Sequence, residues 1–208
     1  MAQKPIQEQF GQQVIEAFAG FARCDLRTPA ELEGLEFSHI SDSVLRKRLS
    51  EVFYGVRWIY KLGLALLTKD VERAAHVRSQ IVDYASVVEG VLSHCLAHAI
   101  RKGYTQGSSY NFRDPDVRKQ AIKWNTANPE QMINRQSFWW FIKIAEEFGI
   151  VNTALAKELH WLRVQRNSVH LRQKSSLGNT AFLNQSKKAF EIASQALMQT
   201  KKWKTSHP

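Results

Sequence analysis

The sequence predicts an all-α bundle, and three observations carry that prediction. Apolar residues recur at three- and four-residue spacing through most of the 208 positions, the period of a helix with one buried face. Only 10 Gly and 5 Pro punctuate the chain, too few for a turn-rich sheet protein. No stretch shows period-two alternation that competes with the helical periods. Hydrophobic content of 44% and charged content of 23% are those of an ordinary globular domain. The length suits one core in a single domain, with an appended segment.

The first helix is expected over residues 5–23, with Pro5 near its start and Ile6, Phe10, Val14, Ala17, Phe18 and Phe21 at helical spacing. Residues 24–40 contain Pro29 and Gly34 and read as a loop with a short helical turn, closing an N-terminal section at residue 43. Asp42 and Ser43 are N-cap candidates for a long helix from Val44 to about Thr68, striped by Leu45, Leu49, Val52, Phe53, Val56, Ile59 and Tyr60. Gly55 and Gly63 weaken that helix or admit a close neighbour. Asp70 caps the next helix, which runs to about Lys102 and is stopped by Gly103. Its series Ala74, Val77, Ile81, Ala85, Val88, Leu92, Cys95 and Ala99 marks a core helix. Glu89 sits on the shoulder of this stripe, where a carboxylate is either solvated or paired with a buried cation.

Residues 103–136 are the least regular part and read as an insertion between core helices, with helix starts at Asp114-Pro115 and Asn128-Pro129. Ser137 caps an aromatic helix, Phe138 to Phe148, that Gly149 ends. Asn152 or Thr153 opens a further helix, residues 173–179 turn around Gly178, and a last helix spans Ala181 to about Thr200. The core is thus expected over 44–200, followed by a basic tail, 201–208.

Charge is unevenly placed. The net charge is +10 with a pI near 9.8. Residues 151–208 hold ten Lys/Arg against Glu158 and Glu191, so this part carries +8 and the other 150 residues +2. Such a field implies a polyanion or an acidic protein as partner, with Arg172, Lys174, Lys187 and Lys188 as candidate RNA contacts. The plainer reading is solubility together with a solvated tail, Lys201 to Lys204. Cys24 and Cys95 lie far apart, without metal-like spacing, as in a reducing compartment. The N-terminus lacks the order of a signal peptide, and the run Trp58–Leu67 is too short for a bilayer and contains Lys61. A soluble cytoplasmic protein without a membrane partner is expected.

Several chemistries find no support. The chain has no Gly-rich phosphate loop, no dinucleotide fingerprint, no zinc spacing and no nucleophile elbow, so no cofactor is expected. His94 and His98 sit one turn apart but lack a third ligand at useful spacing. Phe138, Trp139, Trp140 and Phe141 can stack bases beside basic groups, although four aromatics within a helical turn more often form core or an interface.

The stretch Leu159 to His170 stands apart. On a helix it aligns Arg163, Arg166 or Asn167, and His170 in one polar column beside Leu155, Leu159, Leu162 and Val169. Two guanidiniums, an amide and an imidazole next to an apolar seam are costly unless something uses them, and a phosphate suits them. RNA brings its own 2′-hydroxyl nucleophile, so a titrating imidazole and fixed cations suffice for cleavage. The column resembles the motif of HEPN domains, α-helical bundles named for higher eukaryotes and prokaryotes nucleotide-binding. That motif places an Arg, four to six residues, then His on a late helix. Six residues separate Arg163 from His170, and the text also fits an Arg-x-x-Arg-Asn-x-x-His form. Spacing favours Arg163 as the leading arginine; the adjacent Asn167 favours Arg166. The segment Tyr84–Leu92, with Glu89 embedded, resembles the family's companion helix, and the likeness covers about residues 44–102 and 137–200.

The resemblance implies a metal-independent endoribonuclease that leaves 2′,3′-cyclic phosphate and 5′-hydroxyl ends. Arg163, His170, Arg166 and Asn167 would be catalytic and Glu89 supporting. It also implies a two-fold homodimer with a composite site and a role as a toxin or anti-phage defence effector, with an antitoxin or another defence-system protein as partner. The tyrosine that one branch of the family carries two residues after the histidine is Arg172 here. The competing functions are a non-catalytic RNA- or nucleotide-binding module or regulatory subunit, and a protein–protein scaffold.

Overall fold

The computed structural model describes residues 10–105, 124–168 and 181–208. Among these residues the chain forms eight helices and no strand: α1 Gln12–Arg23, α2 Pro29–Leu35, α3 Ser43–Ala65, α4 Asp70–Arg101, α5 Pro129–Ile133, α6 Phe138–Glu147, α7 Thr153–Ser168 and α8 Ala181–Ser206. No helix among them is long and apolar enough to cross a membrane.

The axis of the bundle is α4, which packs against α3, α5, α6, α7 and α8. The expected apolar series is buried throughout, from Ala74 to Ala99. Toward its C-terminal end the helix is buried on every side, Cys95 to Ile100 without a break. Enclosure of Leu92, Leu96 and Ile100 stabilises the fold by about 2 kcal/mol each on area grounds. Burial pushes the Cys95 thiol up to about 12, so it packs as a small hydrophobe. At Gly90 an added Cβ would stand 2.9 Å from Leu49 Cδ2, so the Leu49 side chain of α3 rests on this glycine and would have to turn aside for a larger residue. Gly63 admits a close neighbour, since a Cβ there would come within 3.3 Å of His76, whereas nothing lies within 4 Å of the corresponding position at Gly55.

Caps fix the helix starts. Asp42 accepts from the amides of Val44 and Leu45, Asn128 from that of Gln131, and Ser137 from that of Trp140. The 24–40 stretch holds a full short helix, because Thr28 and Glu31 form a reciprocal capping box around Pro29. The least regular region is described only in part. Residues 106–123, including Asp114-Pro115, lie outside the described residues, while Trp124 packs on Trp140 and Phe148 and α5 lies against α4. Gly178 and its turn also lie outside them.

The start of α4 differs from expectation, because Lys69 holds the N-cap position and Asp70 is already the first helical residue. Three further expectations are corrected. The first helix begins at Gln12, because Gly11 breaks the pattern and Phe10 lies in a bend; residues 1–9 lie outside the described set. Its apolar residues Phe10, Val14, Phe18 and Phe21 remain 40–50% exposed, and Lys61 rather than the core covers the Phe21 ring, 4.9 Å away. His98 falls outside the expected apolar series Ala74 to Ala99, yet it is buried at 9% exposure because the end of α8 crosses over it.

The third correction concerns the basic end. The last helix does not stop near Thr200 but continues to Ser206, because Trp203 prolongs the buried stripe of Ala189, Ile192, Ala193, Ala196 and Leu197. Trp203 is 6% exposed, meets His98 edge-on and stacks on His207 at 4.6 Å. Lys204 places its Nζ 2.8 Å from the His98 ring, and Lys201 donates to the Leu35 carbonyl at 2.7 Å. These lysines are anchors as much as surface charge. Trp203→Ala should lower stability by about 3–4 kcal/mol in urea unfolding; wild-type stability would mean that the end of α8 does not dock.

Three imidazoles line the same seam, and burial lowers the pKa of each. His39, whose Nε2 lies 3.1 Å from Thr200 Oγ1, is pulled from 6.5 to about 4 by burial and then by the charges of His94, Lys201 and Lys204. Below pH 6.5 the unfolded chain takes up a proton that the folded chain refuses until about pH 4. Stability should therefore be complete above the unfolded value and fall as pH drops through this window. Discounted for partial exposure, His39 contributes about 1–2 kcal/mol of that loss. His39→Gln should flatten the acid limb of a pH–stability curve, and a wild-type curve already flat there would contradict the assignment.

Candidate functional site

Helix α7 carries the polar column, and its orientation is set from both ends. Asn152 Oδ1 accepts from Leu155 N at 2.8 Å, and Asn152 N donates to Gln199 Oε1 at 2.9 Å, which ties the start of α7 to α8. Leu155, Ala156, Leu159 and Leu162 are buried against α4, α6 and α8. The flank of this buried face then presents His160, Arg163, Arg166 and Asn167.

Arg166 Nη1 lies 2.8 Å from Glu89 Oε2, and its guanidinium stands 6.0 Å over the Phe138 ring. Both partners are partly exposed, 33% for Arg166 and 26% for Glu89. Glu89 thus has its cation, and α4 is joined to α7 by this pair. Arg163 takes neither nearby carboxylate among the described residues: Arg166 takes Glu89, and Lys188 takes Glu158 at 2.7 Å. Arg163 Nε is buried without a hydrogen-bond partner among the described residues. Asn167 is exposed. The structure therefore brings Arg163, Arg166, Asn167 and Glu89 to one region, whereas His170, Arg172 and Lys174 lie outside the described residues.

His160 belongs to the same column and is missing from the sequence reading. It sits three residues before Arg163 and seven before Asn167, so the spacing that found the others points to it as well. Both of its ring nitrogens are buried without a hydrogen-bond partner among the described residues, and the Trp139 ring lies 6.5 Å away. Burial lowers its pKa, the charges of Lys143 and Arg163 add to the effect, and Glu146 opposes it. A neutral imidazole beside Arg163 avoids placing two cations together in a sheltered site.

The other candidates are accounted for individually. Phe138, Trp140 and Phe141 are buried core residues, so of the four aromatics only Trp139 is half-buried. Lys187 pairs with Glu191 at 3.9 Å along α8, and Lys188 also stands 4.6 Å over the Trp161 ring. His94 Nε2 accepts from Ser41 N at 3.2 Å, and His98 meets Lys204 and the His207 carbonyl. Among the described residues no group of three or more His, Cys, Asp or Glu is placed to hold a metal ion.

Compared with protein-family models, with curated proteins and with solved structures, the chain matches none of them.

The Glu89–Arg166 pair is open to direct measurement. A double-mutant cycle with Glu89→Gln and Arg166→Gln should give a coupling of about 0.5–1.5 kcal/mol, that of a half-sheltered, charge-assisted contact. Zero coupling would mean that α4 and α7 are not joined there in solution.

Proposed function

We propose that the chain is a metal-independent endoribonuclease of the HEPN type, acting as a toxin or anti-phage defence effector. The observation that carries this reading is the α7 column. It holds one guanidinium fixed by Glu89 and a second whose Nε has no partner among the described residues, and in the sequence these two arginines stand four and seven residues before His170. Arg163 and Arg166 present planar guanidinium forks that match phosphate oxygens. In the proposed reaction the RNA 2′-oxygen attacks the adjacent phosphorus while the bond to the 5′-oxygen breaks. His170 moves the proton, the two arginines stabilise the charge that builds on the phosphate, and Asn167 holds a phosphate oxygen or orients the imidazole. Products carry a 2′,3′-cyclic phosphate and a 5′-hydroxyl. One chain supplies a single motif histidine, so a separate acid and base call for a two-fold homodimer with the site between its copies.

A second reading rests on the Glu89–Arg166 pair itself. A guanidinium whose charge is already compensated favours a non-catalytic RNA-binding module or regulatory subunit over a nuclease.

The test is incubation of purified protein with RNA in excess EDTA. Wild type should cut, and Arg163→Ala and His170→Ala should each lose about 100-fold or more. Undiminished cutting by His170→Ala removes this mechanism. Salt-sensitive binding without any shortening of the RNA supports the second reading.

A further inference from the structure

On α4, Glu89, Ser93 and Ala97 follow one another at four-residue steps and share a stripe of the helix. Glu89 holds Arg166, so what lies over Ser93 and Ala97 begins one helical turn, about 5–6 Å, from the candidate site. An open cleft of about 330 Å³ lies there, walled by the start of α3 on one side and by α5 on the other. Its apolar lining comes from Leu45, Ala97 and Ile133. Its polar groups are Arg48, His94 and Asn134, together with the carboxylates of Asp42 and Glu130.

The chemistry of these groups narrows the ligand. Arg48 forms no ion pair with any described residue. Ser41 N donates to His94 Nε2 at 3.2 Å, so the neutral ring carries its proton on Nδ1, and burial keeps the ring neutral. Both carboxylates are already compensated: Asp42 accepts from the amides of Val44 and Leu45, and Glu130 pairs with Arg101. A cleft with apolar walls, a cation without an ion pair among the described residues, amide and imidazole donors and two engaged carboxylate acceptors does not suit a bare anion. It suits a heterocycle with donors and acceptors on its edge, joined to a phosphate.

We propose that this cleft is a nucleotide subsite for single-stranded RNA, placed beside the Arg163–Arg166 column. The base lies against Leu45, Ala97 and Ile133, its edge meets His94 Nδ1–H and the Asn134 amide, and Arg48 grips a flanking phosphate. This rests on the RNA reading above and adds the place where the strand is held next to the phosphate to be cut.

The test pairs a variant set with a probe of the unaltered protein. Binding is measured with a labelled, uncleavable 2′-O-methyl single-stranded RNA, cleavage with the 2′-hydroxyl form, and the His94 ring is followed by ¹⁵N NMR on addition of uridine or adenosine 5′-monophosphate. Arg48→Ala and the cleft-filling Ala97→Met should weaken RNA binding about tenfold, the loss of one charged or well-packed contact, with Arg23→Ala on α1 as control. The mononucleotide should shift the His94 Nδ1 signal of wild type. Unchanged binding by both cleft variants with an unmoved His94 signal, while RNA is still cut, overturns the subsite and leaves the nuclease reading standing. A moved His94 signal and cleft-dependent binding without cleavage keeps the subsite and removes the nuclease. No RNA binding and no shift overturns both.

Discussion

The structure depends on the enclosure of the C-terminal half of α4. From Cys95 to Ile100 six consecutive residues are buried, and six consecutive residues cover every direction around a helix. Neighbours must therefore stand on all sides, and α3, α5, α6, α7 and α8 take their places as those neighbours. The basic end of the chain is drawn in by the same requirement. Trp203 and Lys204 close the side of α4 that carries His98, so part of the positive charge near the C-terminus serves packing.

The enclosure is incomplete along one stripe. Glu89, Gly90, Ser93 and His94 are each only partly buried, between the buried pairs Val87–Val88 and Val91–Leu92 and the enclosed run from Cys95. Arg166 reaches Glu89 across this opening, and the cleft over Ser93 and Ala97 continues it. A polar strip on a core helix is costly unless its groups are satisfied. Here one is satisfied by a cation from α7, while Arg163 and His160 nearby keep buried nitrogens without partners among the described residues. Compensated and uncompensated polar groups side by side are the physical reason to place a ligand at this region.

Much of this arrangement can be read in the sequence. The period of the α4 series, the caps at Asp42, Asn128 and Ser137, and the stops at Gly103 and Gly149 each state a local preference that the fold obeys. The Arg163–Asn167 face follows from spacing alone. What escapes is tertiary. Periodicity shows that α1 has an apolar stripe but not that it stays half-exposed, because the same pattern serves core and surface contact. Lys201 to Lys204 read as a solvated tail, because composition outweighs one Trp203 whose partners on the core side, His98 and Tyr104, are far away in the chain. The choice of Arg166 over Arg163 for Glu89 depends on the crossing of α4 and α7, which no local pattern encodes. His160 was within reach of the helical count and is hidden only by its place among apolar neighbours.

The central claim is that this column directs the RNA's own 2′-oxygen onto the neighbouring phosphorus. Mass spectrometry of the fragment ends from a single-stranded RNA treated in EDTA tests it most directly. The account predicts 2′,3′-cyclic phosphate and 5′-hydroxyl termini, and no cut at a position where the 2′-oxygen has been removed. Fragments ending in 3′-hydroxyl and 5′-phosphate, or cutting at the 2′-deoxy position, would contradict it.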